Sequence, residues 1–169
     1  TIGGVQLELD ESDIVESESV LLDTNPILSF ENNYVGKDKP IKFTNLKLQE
    51  KKQYKNYSLV VPTDWTGEIT PKEIGLKKPT ETITKKYDGT TAIIYVPRLD
   101  GIVWGDYDYV AVAGCPLSFA DANVGEDKEI IIGDITLEGP NAGNYTVAAP
   151  TGWTGTITAK PLTLAEPTE

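Results

Sequence analysis

Apolar positions along this chain recur with a period of two or stand in short β-rich runs, and no window of about twelve residues carries an apolar stripe of period 3.6. In YDYVAVA, Tyr107, Tyr109, Ala111 and Ala113 fall on one face and Val110 and Val112 on the other. NYSLVV groups Tyr57, Leu59 and Val61 in the same way. KEIIIG and DITLEG flank Gly133-Asp134 and predict a hairpin there. AIIYV and TETITKK supply further strands, and Gly, Pro, Asn and Asp punctuate them all. Short strands about ten residues apart, roughly seven to a module, predict an all-β fold of two tandem β-sandwich-like modules, with β-grasp-like modules as the alternative. Little or no helix is expected. A short helical turn fits only residues 119–125 or the acidic stretch 10–19.

The tandem expectation comes from an internal repeat. LSFENNYVGKDKPIKFTNLKL from Leu28 matches LSFADANVGEDKEIIIGDITL from Leu117, 89 residues on. NYSLVVPTDWTGEITPK from Asn56 then matches NYTVAAPTGWTGTITAK from Asn144, 88 residues on. Upstream the match thins to Val20 with Val110 and Pro26 with Pro116. The expected boundary follows Leu76, giving a first module over 1–76 and a second, more complete one over 77–169. The first has no counterpart of TETITKKYDG at 80–89. An unpaired sheet edge or a rearranged start, able to pair with another chain, is therefore expected in it. The sequence lacks an initiator Met and a signal peptide and reads as part of a longer chain.

Matched apolar positions name the expected core: Phe30, Tyr57, Trp65 and Ile69 in the first module, Phe119, Tyr145, Trp153 and Ile157 in the second. A buried Trp removes roughly 150–250 Å2 from water, an upper bound of about 4–6 kcal/mol. Trp65 and Trp153 occupy equivalent places in PTxWTGxIT and are expected inside. Trp104 has no Trp counterpart. With Tyr107 and Tyr109 it forms a candidate exposed aromatic strip for a glycan, the alternative being packing.

The 169 residues carry 15 Lys+Arg against 26 Asp+Glu, a net charge of −11. A phosphate backbone would be repelled, so no nucleic-acid partner is expected. No apolar run of about 18 residues is present, so no membrane contact of this fragment is expected. The absence of His removes His bases, Ser-His-Asp triads and His metal ligands, and one Cys excludes an internal disulfide or a Cys-ligated zinc. Cys115 reads as a small apolar residue rather than a nucleophile. Calcium would draw on Asp100, Asp106 and Asp108 or on Asp121, Asp127 and Asp134, but no DxDxDG loop is present and a solvated acidic face explains the same residues. No cofactor is expected. A Lys-Asn crosslink would involve Lys72 with Asn56 or Lys160 with Asn144.

KKYDGTTA at 85–92, followed by LDGIVWGDYDYV, FADANVG, ITLEGPNAGNYTV and ITAKPLTL, resembles the YDG-type repeat of bacterial cell-surface proteins and large adhesins. The resemblance spans residues 80–164, and residues 28–76 in part. It implies an extracellular setting, at the bacterial cell surface or cell wall, and no enzymatic activity. The expected function is a non-catalytic stalk or spacer whose partners are neighbouring repeats of the same protein. The alternative is an adhesion module that binds host glycan or glycoprotein through exposed aromatics.

Overall fold

A computed structural model of the chain describes residues 6–23, 26–51 and 53–165. The protein is all-β: among the described residues the helical elements are single 3-10 turns at Glu11–Asp13, Tyr54–Asn56 and Ala142–Asn144. The first of these falls inside the acidic stretch and is capped by Asp10, whose carboxylate accepts the Ser12 amide at 3.0 Å. The chain divides into two compact units, Thr1–Thr70 and Pro71–Glu169.

The first unit contains β1 (Ile27–Phe30), β2 (Gly36–Thr44) and β3 (Thr66–Ile69), an antiparallel sheet in the order β1-β2-β3. The second contains β4 (Lys72–Leu76), β5 (Ile83–Lys86), β6 (Ala92–Ile93), β7 (Leu99–Asp100), β8 (Ala111–Gly114), β9 (Leu117–Phe119), β10 (Gly125–Ile132), β11 (Thr136–Glu138), β12 (Tyr145–Val147) and β13 (Thr154–Thr158). They form a five-stranded sheet β5-β13-β10-β9-β6, a pair β11-β8 and a three-stranded sheet β12-β4-β7.

The sequence repeat reappears as repeated geometry inside each unit. Phe30 faces Ile41 across β1 and β2, as Phe119 faces Ile130 across β9 and β10. Both long strands shift register, β2 between Gly36 and Lys39 and β10 between Gly125 and Lys128. At each bulge an Asp takes a left-handed conformation, Asp38 at φ 52 and Asp127 at φ 50. The following lysine reaches back to the preceding loop: Lys39 Nζ to Asn32 at 2.6 Å and Lys128 Nζ to Asp121 at 2.7 Å. The bridge between Leu22 and Leu48 stands where Val112 pairs with Leu137.

Strand β4 decides how complete each unit is. By sequence it closes the first repeat, yet it is built into the second unit, so the boundary expected after Leu76 lies instead at Thr70. It runs parallel to β12, with Ile74 opposite Val147, and antiparallel to β7, with Leu76 opposite Leu99. Ile74 is buried with Ile102, Val110 and Tyr145, and Leu76 with Leu117, Phe119, Ile130, Trp153 and Ile157. One strand therefore seals both apolar clusters of the unit. Among the described residues the first unit has no strand at this place. Residues 57–59, the counterpart of β12, and the two residues after them accordingly form no strand although their sequence alternates as expected. Ladder hydrogen bonds define a strand, and they need a neighbour.

The same cause corrects half of the expected core. Phe119, Tyr145, Trp153 and Ile157 are buried, whereas Phe30, Tyr57 and Ile69 are only half-buried. Trp153 is 4% exposed and Trp65 is 43% exposed. Trp153 is buried in one cluster with Leu76, against which Ile83 packs, and among the described residues the first unit has no strand corresponding to β4 or β5. Trp65 retains an edge-on contact with Phe43, ring centroids 5.3 Å apart. The hairpin expected at Gly133-Asp134 is also corrected. There β10, paired with β9 and β13, gives way to β11, paired with β8 in another sheet. Gly133 donates its amide to Pro116 at 2.9 Å, and a Cβ on it would lie 2.7 Å from the Pro116 ring. Its missing side chain serves this close crossing rather than a tight turn.

Trp153→Ala should lower the stability of the second unit by about 3–5 kcal/mol, because a large enclosed cavity remains. Trp65→Ala should cost only about 1–2 kcal/mol, since much of that ring is already in water. Equilibrium urea unfolding of each variant measures both, and equal losses would contradict the burial difference.

Candidate functional site

In each unit one tyrosine hydroxyl fixes a turn. Tyr145 donates to Asp106 Oδ2 at 2.6 Å and accepts the Val103 amide at 3.3 Å. Tyr57 donates to Glu18 Oε2 at 2.6 Å and accepts the Val15 amide at 3.0 Å. Both turns close through a backbone bond of 3.0 Å, Asp106 N–H to Val103 O and Glu18 N–H to Val15 O. Gly105, at φ 100, takes the left-handed position in one, and Ser17, at φ 72, takes it in the other. Asn141 Nδ2 adds a bond of 2.8 Å to Asp106 Oδ1. Asp106, considered above as a calcium ligand, is thus committed to two side chains. The correspondence of V-x-x-E at 15–18 with V-x-x-D at 103–106, at the same spacing of 88 as Tyr57 and Tyr145, carries this signal in the sequence. The interchange of Glu with Asp and of Ser with Gly hides it from identity matching.

The Tyr145-anchored turn displays the aromatic strip. Trp104 is 92% exposed, and Tyr107 and Tyr109 are also exposed. The Trp104 and Tyr107 rings meet nearly edge to face, centroids 6.5 Å apart at 75°. Tyr109 lies beside them but outside that ring pair, its backbone held by Asp106 O and Asn141 N. Residues 107–109 form a turn rather than the start of the strand expected from YDYVAVA, and β8 begins at Ala111. The structure therefore gathers two of the three candidate aromatics into one contact and leaves all three accessible.

Tyr87-Asp88-Gly89 forms a turn between β5 and β6. Asp88 Oδ1 accepts the Thr90 amide and hydroxyl, both at 2.9 Å, and pairs with Lys85 Nζ at 2.8 Å. Lys85 also donates to the Thr90 and Ala92 carbonyls. The lysine first, then the Thr90 amide, pull the Asp88 carboxyl down to about 2. Gly89 sits at φ 81, as a left-handed turn position requires. Tyr87 is exposed, and its amide extends the β5–β13 pairing to Thr158 O at 2.8 Å.

The remaining candidates do not converge. Burial pushes the Cys115 thiol up, the opposite of what an activated nucleophile needs. Asp121 is held by Lys128 and the Asn123 amide. Among the described residues no three acidic or Cys side chains are grouped to hold a metal. Lys72, Lys160 and Asn56 are exposed, so the dry setting of an amide crosslink is missing, and Lys72 Nζ donates to Gly101 O at 2.6 Å. The first unit holds a groove of about 300 Å3 between residues 7–10 and 57–60, with Val20 and Trp65 among its lining.

The YDG domain family model matches residues 70–152, which lie almost wholly in the second unit. The match opens at the unit boundary and takes in β4. No curated protein and no solved structure matches the chain.

Both tyrosine hydroxyls are raised above the ordinary phenol value, Tyr57 mainly by its bond to Glu18 and Tyr145 by burial and then by Asp106. Their stabilisation is complete below the unfolded value of about 10 and is lost as pH rises through the higher folded values. Denaturant midpoints should fall at alkaline pH, and Tyr57→Phe with Tyr145→Phe should flatten that fall. An unchanged alkaline slope in the double variant would contradict the two locks. For Asp88 the sign reverses. Its contribution is present above about pH 4 and disappears as pH drops toward about 2, so Asp88→Asn should be less sensitive to acid over that window. Midpoints across the same range decide this.

Proposed function

We propose that the chain is a non-catalytic structural stretch of a bacterial cell-surface, adhesin-like protein, an extracellular spacer whose partners are neighbouring repeats. The supporting observation is the parallel pairing of β5 with β13, Ile83 to Lys86 against Gly155 to Thr158. These strands lie toward opposite ends of the second unit in sequence. Tension on residue 71 and residue 165 enters through β4, held between β12 and β7, and reaches β5 at its N-terminal end and β13 at its C-terminal end. Side-by-side parallel strands drawn in opposite directions load their ladder bonds together rather than one after another. That geometry suits a unit that bears load. The YDG match, the acidic surface and the unactivated thiol agree with the same role.

A second function is favoured by one observation. The exposed pair Trp104–Tyr107, with Tyr109 beside it, offers ring faces and edges to a host glycan or glycoprotein.

Single-molecule pulling tests the first proposal. Force applied at residues 71 and 165 should open the second unit at a higher peak than force applied at residues 86 and 158, which peels the same two strands apart. An equal or lower peak for end-to-end loading would remove the mechanical argument. Reproducible glycan-array binding that disappears in Trp104→Ala would put the second function in first place.

A further inference from the structure

Between Arg98 and Lys128 the chain carries six acidic residues and no basic one. The aromatic strip lies inside this stretch. Trp104 is 92% exposed, Tyr107 58% and Tyr109 50%. The turn that displays them is held by the protein itself. Asp106 N–H bonds to Val103 O, Tyr109 N–H bonds to Asp106 O, and the Tyr145 hydroxyl joins the Val103 amide to the Asp106 carboxylate. The rings are therefore in place before any partner arrives, which lowers the ordering cost of binding.

The carboxylates of this turn differ from others in the molecule. Asp23, Glu31, Asp88 and Asp121 each pair with a lysine. Among the described residues Asp106 and Asp108 have no such partner. Asp106 accepts from the Tyr145 phenol and the Asn141 amide, neutral donors that orient the carboxylate without cancelling its charge. Asp108 stands exposed between Tyr107 and Tyr109. Lys72 reaches Gly101, but its ammonium donates to the carbonyl there at 2.6 Å rather than to a carboxylate. Hydrogen-bonding capacity is equally one-sided. Asn141 Nδ2 and Asp106 are already bonded to each other, and the Asp108 carboxylate can only accept. Sugar hydroxyls both donate and accept, whereas arginine and lysine side chains only donate. Ring faces beside uncompensated carboxylates fit the second kind of group.

We propose that the strip docks a basic segment of a partner protein, with an arginine lying against the Trp104 ring and pairing with Asp108. This rests on the strip being a binding surface, the second function above, and assigns its partner to polypeptide rather than glycan. Guanidinium suits the site better than ammonium. It is planar, stacks on an indole and presents a fork of donors to a carboxylate. The Tyr107 ring, nearly edge to face with Trp104, restrains the indole. The net charge of −11 draws a basic partner toward the surface, and the ring pair with Asp108 decides where it settles. The first unit is an internal contrast: it carries Glu16 at the place of Trp104 on a similarly locked turn, so it has the acidity without the indole.

The test titrates the whole 169-residue chain into a short dye-labelled peptide of alternating glycine and arginine and follows fluorescence anisotropy. Saturable binding should weaken about threefold with lysine in place of arginine and about tenfold with citrulline, which keeps the shape and loses the charge. Trp104→Ala and Asp108→Asn should each weaken it about three- to fivefold. Both side chains are exposed, so an unchanged urea midpoint should accompany the loss. Raising salt from about 0.05 M to about 0.5 M should weaken binding further. Equal binding of the arginine and citrulline peptides overturns the proposal. So does a loss in Asp108→Asn without one in Trp104→Ala, which leaves only diffuse attraction to an acidic chain. Trp104-dependent binding on a glycan array with no peptide binding keeps the strip as a binding surface and overturns its arginine partner. No Trp104-dependent binding to either probe overturns both readings.

Discussion

A backbone edge needs a partner, and in this protein five residues decide which edges have one. Strand β4 places its main chain between β12 and β7 and its two apolar side chains into separate clusters. The consequence can be read by comparison within one molecule. Phe30, Tyr57, Trp65 and Ile69 have the same identities as Phe119, Tyr145, Trp153 and Ile157, and the strand register around the Phe and Ile pairs is the same. Only the second set is buried. Burial is therefore a property of the completed sheet and not of the residue. The stabilisation expected from an indole in the core depends on a strand contributed from elsewhere along the chain.

That dependence explains what was legible in the residues. The all-β class, the short strands and the repeat spacing follow from local alternation and from rare residues recurring in order. The identity of each strand's partner is non-local. Residues 57–61 alternate as a strand should, but alternation says nothing about whether a neighbour is present. Gly133-Asp134 has the composition of a hairpin, yet the chain changes sheets there, because Pro116 occupies the space against Gly133. Similarity also assigned β4 to the repeat it ends, whereas contact assigns it to the unit it completes. A repeat boundary drawn by similarity can be displaced from the folding boundary by one strand, because similarity is unchanged when the cutting point moves around the cycle.

The tyrosine locks show the reverse situation, in which geometry persists while residues change. Glu18 and Asp106 differ by a methylene, and Ser17 and Gly105 differ in their tolerance of positive φ. The phenol still accepts one amide and donates to one carboxylate in both units. A carboxylate acceptor makes this a charge-assisted bond, stronger than a neutral one, and it satisfies an amide that the turn leaves without a ladder partner. An acidic residue at this place therefore has a structural purpose, and the acidic character of the chain is not solely a matter of surface solvation.

The locked turn also separates what the fold needs from what it only carries. At the position of Trp104 the first unit has Glu16, on a turn closed by the same backbone bond and the same phenol contacts. An aromatic side chain there is not required to form the turn. Nor does it contribute to either apolar cluster, because Trp104 and Tyr107 touch each other and otherwise face water. Exposing a large indole forgoes the burial that Trp153 obtains in the same unit. The rigid turn beneath it lowers the conformational entropy that any ligand would have to remove. Neither packing into an apolar cluster nor turn geometry accounts for the aromatic pair.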